Sequence, residues 1–201
     1  MSIFKISADI FLRLSAVSLK ADEHHAQFAE TMRGIRVENR GGVSVAVATC
    51  GRLIAVECLS ECDDDGEVTI RIDNAMLALA RDEAQQNGSL MITQAPGWTI
   101  AKGSTTERMY PLNAEIPGDY PDWRGVIPQA QPLKSNTAFI LSAGWLARLA
   151  EAAPSQSIVL PKHVDVATPI VVCDKNDPNW VGIVLPGKGE NKPAEIPDWL
   201  H

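Results

Sequence analysis

Apolar and polar positions alternate over residues 2–6, the period of a half-buried strand, and the spacing then becomes helical. Ile10, Leu14 and Val17 fall on one stripe of that helix, with Asp9, Arg13 and Lys20 on the opposite side. Three β-rich runs follow at 34–39, 43–50 and 53–59, and Gly41-Gly42 supplies turn chemistry between the first two. The order is β-α-β-β-β. After an acidic turn at 62–66 it returns: a strand at 68–72, a helix over 73–86 capped by Asp73 or Asn74, and strands at 89–94, 97–103 and 105–112. Met76, Leu77, Ala80 and Ala84 form the apolar stripe of this second helix. A third pass has a strand at 137–141, a helix over 142–153 whose inner face is Trp145, Leu146 and Leu149, and strands at 157–161, 169–174 and 180–186. The copies share an order of elements and almost no identity, so the repeat is architectural.

Between the second and third passes, Pro117, Pro121, Pro128 and Pro132 forbid a continuous helix or a central strand. The expected organisation is thus two units over 1–116, a proline-rich connector over 117–136, one unit over 137–187 and a polar, flexible tail over 188–201. The fold class is α+β.

With 201 residues, 45% of them hydrophobic, the chain can bury a core without covalent staples. Its four cysteines, Cys50, Cys58, Cys62 and Cys173, are too few and too uneven for a disulfide framework, which favours a reducing cytoplasm. Lys5, Asp9 and Arg13 interrupt the N-terminal apolar positions, so no signal-peptide core is expected, and no stretch reaches membrane-spanning length. A net charge of -7 argues against a protein that coats nucleic acid by charge alone. Any DNA contact needs a local basic surface.

Two segments carry a resemblance to a known family. RGIRVENRGGVSVAVATCGRLIAVE is similar to a stretch of the bacterial beta sliding clamp (DNA polymerase III beta subunit) in which a strand pair leads to an A-T-D-G-H-R-L-A motif. Here cysteine stands in place of the aspartate and the histidine is missing. DYPDWRGVIP resembles the family's F-P-D-Y-R-R-V-I/L-P connector with nearly every position retained in type, and WVGIVLPGK more weakly resembles the closing strand of the last domain. The resemblance implies a short or truncated clamp: one complete DNA-clamp-like domain of β-α-β-β-β units plus about half of another.

It further implies a pocket for client peptides. Its matching residues are Met32, Thr49, Gly51, Arg52 and Leu53 from the first unit, Pro121 and Val126 from the connector, and Ile183, Leu185 and Pro186 from the closing strand. An extended peptide needs an apolar slot for an anchor and a few polar groups to orient its backbone. The competing reading of Leu53, Val126, Ile183 and Leu185 is ordinary core packing.

In clamps, helices also present basic residues to DNA phosphates. Arg13, Lys20, Arg81 and Arg148 are the candidates on the helices here, with His24, His25 and Gln27 in the loop after the first one. Asp9, Asp82 and Glu151 sit among them, as on a merely solvated face.

Cys58 and Cys62 near His24-His25 do not make a zinc site, because Cys58 reads as a strand residue and Cys62 begins a turn. Asp63-Asp64-Asp65 lacks the spaced ligands of a calcium loop. No catalytic motif is visible, so no catalytic residue, metal or cofactor is assigned. The expected function is a clamp-like replication or repair accessory protein that binds client peptides and double-stranded DNA. The alternative is a regulatory or decoy protein that keeps the fold without encircling DNA. Trp199-Leu200 has the character of a clamp-binding anchor. Three half-domain units leave one incomplete, which predicts a homo-oligomer, a dimer in the first instance, with a compact monomer as the alternative.

Overall fold

The computed structural model describes residues 1–20, 23, 28–59, 65–106, 108–110, 113–127, 142–160 and 169–185. His24, His25, Gln27, Cys62, Asp63, Asp64, Pro186, Trp199, Leu200, the expected strand at 137–141 and the expected tail all lie outside these residues.

The first unit is β1 (Ser2–Ser7), α1 (Ala8–Leu14), β2 (Gly34–Arg40), β3 (Val43–Thr49) and β4 (Leu53–Leu59). The second is β5 (Gly66–Arg71), α2 (Asn74–Ala84), β6 (Ser89–Ala95) and β7 (Trp98–Gly103). Of the third, α3 (Ala143–Ala152), β8 (Ile158–Val159), β9 (Ile170–Asp174) and β10 (Trp180–Val184) are described. Asp73 is the cap of α2: its carboxylate accepts from the amides of Ala75 and Met76, both at 3.0 Å, satisfying donors that a helix start leaves free. The stripe of α2 is Met76, Leu79 and Ala80, with Glu83 also buried and Leu77 only half so.

The expected strand over 105–112 is reduced, among the described residues, to a single bridge between Met109 and Lys102. The cause is Glu83. Its wholly buried carboxylate accepts from the amides of Thr105 (2.9 Å) and Thr106 (2.8 Å), from both threonine hydroxyls and from Ser104, which turns this segment towards α2 and off the ladder. Side chains at Gly88 and Gly103 would collide with that carboxylate, at 2.3 and 2.1 Å from a Cβ. Burial alone would raise the acid's pKa, but the hydrogen bonds from Thr106 and Thr105 outweigh it and hold Glu83 down at about 2.

Two antiparallel sheets result, with orders β1-β6-β7 and β5-β2-β3-β4-β10-β9-β8. The first two units exchange their opening strands: β1 pairs with β6 of the second unit, and β5 pairs with β2 of the first. Alternation then separates two apolar clusters on the faces of the long sheet. Ala46, Ala48, Leu53 and Ala55 share the main core with Phe11 and Leu14 of α1 and Met76, Leu79 and Ala80 of α2. Val47, Ile54 and Ile183 point the other way and meet Trp123 of the connector.

The third unit continues this sheet. β10 runs antiparallel to β4, placing Ile183 opposite Ile54 and Val181 opposite Val56. Leu149 and Ala152 of α3 join the main core, whereas Trp145 and Leu146 are only half-buried. Gly182 lets α3 come close: a Cβ there would stand 2.7 Å from the Trp180 ring, 2.8 Å from Val172 and 3.1 Å from Leu149.

Candidate functional site

The connector is fixed to the outer face of the sheet. Asp119 O accepts from the Thr31 hydroxyl at 2.8 Å, and the Tyr120 hydroxyl donates to Val47 O at 3.2 Å. Trp123 is buried against Val47, Ile54 and Ile183, and the Arg124 guanidinium lies 4.1 Å above its ring while pairing with Glu38. A short 3-10 turn, Arg124–Val126, follows, with the Gly125 amide donating to Asp122 Oδ1 at 3.1 Å.

Beside this ridge lies an open cavity of about 180 Å³ at the seam between β4 and β10. Its apolar wall comes from Phe28, Met32, Ile54, Trp123, Val126 and Leu185, and Thr49, Gly51, Pro121 and Asp122 complete it. The volume is below the roughly 300 Å³ at which small-molecule pockets begin, so it suits one inserted side chain. The rim is held by backbone. Thr49 Oγ1 donates to Leu53 O at 2.7 Å and accepts from the Gly51 amide at 3.0 Å, Gly51 adopts a φ of +80° that favours glycine, and the Leu185 amide donates to Arg52 O at 2.9 Å.

Met32, Thr49, Gly51, Pro121, Val126 and Leu185 of the expected set therefore come together. Leu53 does not: it points into the main core, and its neighbour Ile54 takes the place at the cavity, because successive strand residues face opposite ways. Ile183 is wholly buried in the cluster with Ile54 and Trp123 rather than on the wall, and Arg52 contributes its carbonyl while its side chain is exposed. Phe28, Ile54, Asp122 and Trp123 were not expected from the sequence. Strand alternation would have found Ile54. Phe28, with a φ of 63°, has no local signal that places it there.

On the other flank of the connector is a polar cleft of about 320 Å³. Arg36 reaches Glu67 at 2.5 Å and Glu38 at 3.5 Å, and Arg40 reaches Glu67 at 2.8 Å. The hydrogen bond from Arg36, opposed by burial, holds the Glu67 carboxyl below its ordinary value. Because each guanidinium already faces a carboxylate, the cleft is a neutralised network and offers no anion site.

The cations of the helices are similarly engaged. Arg13 donates twice to Glu57, at 2.7 and 2.9 Å. Arg148 of α3 donates to the carbonyls of Ala16 (2.8 Å), Val17 (3.2 Å) and Ser18 (2.7 Å) and to Glu23 (2.7 Å), fastening the turn that follows α1. Lys20 donates to Ser15 O at 3.0 Å, and burial, assisted by Arg148, pulls its pKa below the ordinary value. Arg81 is exposed on α2. Among the described residues no group of three or more His, Cys, Asp or Glu is placed to hold a metal, and no helix is long and apolar enough to cross a membrane.

Units that exchange opening strands, packed helix to helix and joined edge to edge with a further unit, define the DNA-clamp fold. Solved structures agree. A DNA polymerase sliding clamp from Pseudomonas aeruginosa matches with a TM-score of 0.68 at 15% identity, over 93% of this chain and 67% of that one. The DNA polymerase III beta subunit of Thermotoga maritima matches at 0.62 and 11%, over 94% and 66%. A sliding clamp from Bartonella birtlesii, solved bound to griselimycin, matches at 0.68 and 14%, over 93% and 66%. The chain thus has the fold of bacterial sliding clamps and spans about two thirds of their subunit. No family model matches the sequence, nor does any curated protein.

Proposed function

We propose that this chain is a cytoplasmic, non-catalytic, clamp-like accessory protein of DNA replication or repair that acts by capturing short peptides of client proteins. The observation that carries this reading is the cavity at the β4–β10 seam, whose walls come from four separate stretches of chain. An extended peptide would seat one aliphatic or aromatic anchor there, with the exposed carboxylate of Asp122 available to orient its backbone. The hydrogen-bonded, proline-containing connector holds one wall before any ligand arrives, which lowers the ordering cost of binding.

Engagement of Arg13 by Glu57 and of Arg148 by backbone carbonyls and Glu23, on a chain of net charge -7, favours a docking or regulatory protein over one that grips duplex DNA. The test uses a fluorescent peptide carrying a leucine-phenylalanine anchor. Leu185→Asp and Val126→Asp, both at half-buried positions, should each weaken binding about tenfold or more by placing a charge in the slot. Unchanged affinity in folded variants rejects the site. Retention on closed circular DNA but not on linear DNA would restore encirclement as the primary role.

A further inference from the structure

Strand register fixes which side chains the β1-β6-β7 sheet turns to solvent, because directly opposed residues share a face. Phe4, Ile6, Leu90, Ile92 and Ala101 fill the face turned to the core. On the outward face one row crosses the strands as Lys5, Met91, Lys102 and Met109, with Ile100 and then Trp98 beyond Lys102 along the edge of β7. Met109 is 62% exposed and Trp98 38%, both lysines are exposed, and Met91 and Ile100 are half-buried. Large apolar side chains gathered at a surface mark a contact site, and methionine and tryptophan are enriched in such sites.

The charge of this face runs against that of the chain. The protein has 25 acidic and 18 basic residues, yet β1, β6 and β7 contain two lysines and no carboxylate. A cationic, apolar face on an acidic body is complementary to carboxylates set among apolar groups.

Spacing decides the shape of that complement. Lys5 and Lys102 flank Met91 from two strands apart, about 10 Å at the usual distance between strands. On a helix, positions i and i+7 lie about 10.5 Å apart on one face, with i+3 and i+4 between them. On an extended chain the same-face positions fall at about 7 and 14 Å and miss that interval.

We propose that this face binds an acidic amphipathic helix of a partner protein. Its carboxylates, seven residues apart, pair with Lys5 and Lys102, and the apolar side chains between them rest on Met91 beside Met109 and Trp98. The peptide cavity belongs to the other sheet, so the two sites succeed or fail separately.

Fluorescence anisotropy of the full chain tests this with an alanine-based helical peptide. Its two glutamates stand seven residues apart, with leucine and phenylalanine at the third and fourth positions after the first. In the comparison peptide, lysines replace both glutamates. The acidic peptide should bind about tenfold or more tightly than its lysine counterpart at low salt. The double variant Lys5→Glu, Lys102→Glu should reverse the preference, a rescue that a misfolded protein cannot give. Arg81→Glu, Lys175→Glu, the same charge change at exposed positions away from this face, should leave the preference as it was. Equal affinity for the two peptides overturns the proposal, as does an acidic preference that survives reversal of Lys5 and Lys102 or is lost as fully in the Arg81, Lys175 variant. So does a wild type that ignores the acidic peptide and holds oligothymidine or phosphatidylserine vesicles through the same two lysines.

Discussion

The first two units and the third have the same kind of elements and differ in how they are held. β1–β6 and β5–β2 each run through six paired positions, so the first two units cannot separate without breaking two ladders and the α1–α2 contact. The third is held by the five paired positions of β10 on β4, by Leu149 and Ala152 in the core, and by Arg148 across to the turn after α1, while β8 pairs at only two positions. Reciprocal strands make a cooperative body, whereas an appended unit can open by itself.

The largest expected effect lies in the reciprocal part. Glu83→Ala removes the acceptor for five donors and leaves the Thr105 and Thr106 amides without partners, a loss of about 3–4 kcal/mol in urea unfolding. Because the folded acid sits at about 2 against an ordinary 4.5, its contribution is complete above pH 4.5 and disappears as the pH falls towards 2. Glu83→Gln should lack that acid-dependent component, and the same acid limb in both proteins would refute the assignment.

Next comes Arg13→Ala, which strands Glu57 in the interior and should cost about 2–3 kcal/mol, somewhat less than breaking a fully buried pair because part of Arg13 is exposed. Burial already holds the Glu57 carboxyl above its usual value, against the pull of Arg13. The folded variant therefore binds protons more readily than the unfolded chain. Its deficit should be greatest above the folded pKa and shrink on acidification, which unfolding curves at two pH values will show.

Arg148→Ala probes the appended side. Amide exchange over α3 should accelerate about tenfold, the equivalent of roughly 1.4 kcal/mol of local opening, while β2 and β3 exchange as before. Uniform acceleration through both regions would erase the contrast. The smallest effect belongs to Arg81→Glu, which should move stability by no more than about 0.5 kcal/mol. A marked drop in salt-dependent DNA retention in that variant would show that the helix face does contact phosphates.

Local periodicity made the units legible in the sequence. Alternation and helical spacing located β1 to β7 and the helices, and Asp73 announced the start of α2 through a capping rule that spans three residues. Pairing was not legible, since β1 and β6 meet across more than eighty residues by a reciprocity that no single segment encodes. Leu53 rather than Ile54 is what the resemblance to the clamp motif implies for the cavity, and one residue along a strand reverses the face. Arg13 and Arg148 read as candidates for phosphate contact or as members of a solvated face. Their acceptors lie 44 residues away in Glu57 and more than 120 away in Glu23 and the carbonyls of the turn after α1. The burial of Glu83 has no local signal, because the amides and hydroxyls that solvate it come from a turn more than twenty residues later.

The run of backbone bonds joining β10 to β4 also has a mechanical meaning. The strands lie antiparallel, so a pull directed along them loads all their hydrogen bonds together, as in shear, whereas a pull across them opens the bonds one at a time. A peptide tethered in the cavity would hang on both strands through Ile54 on one side and Leu185 on the other. Such an attachment resists a steady tug along the sheet and yields to a sideways peel.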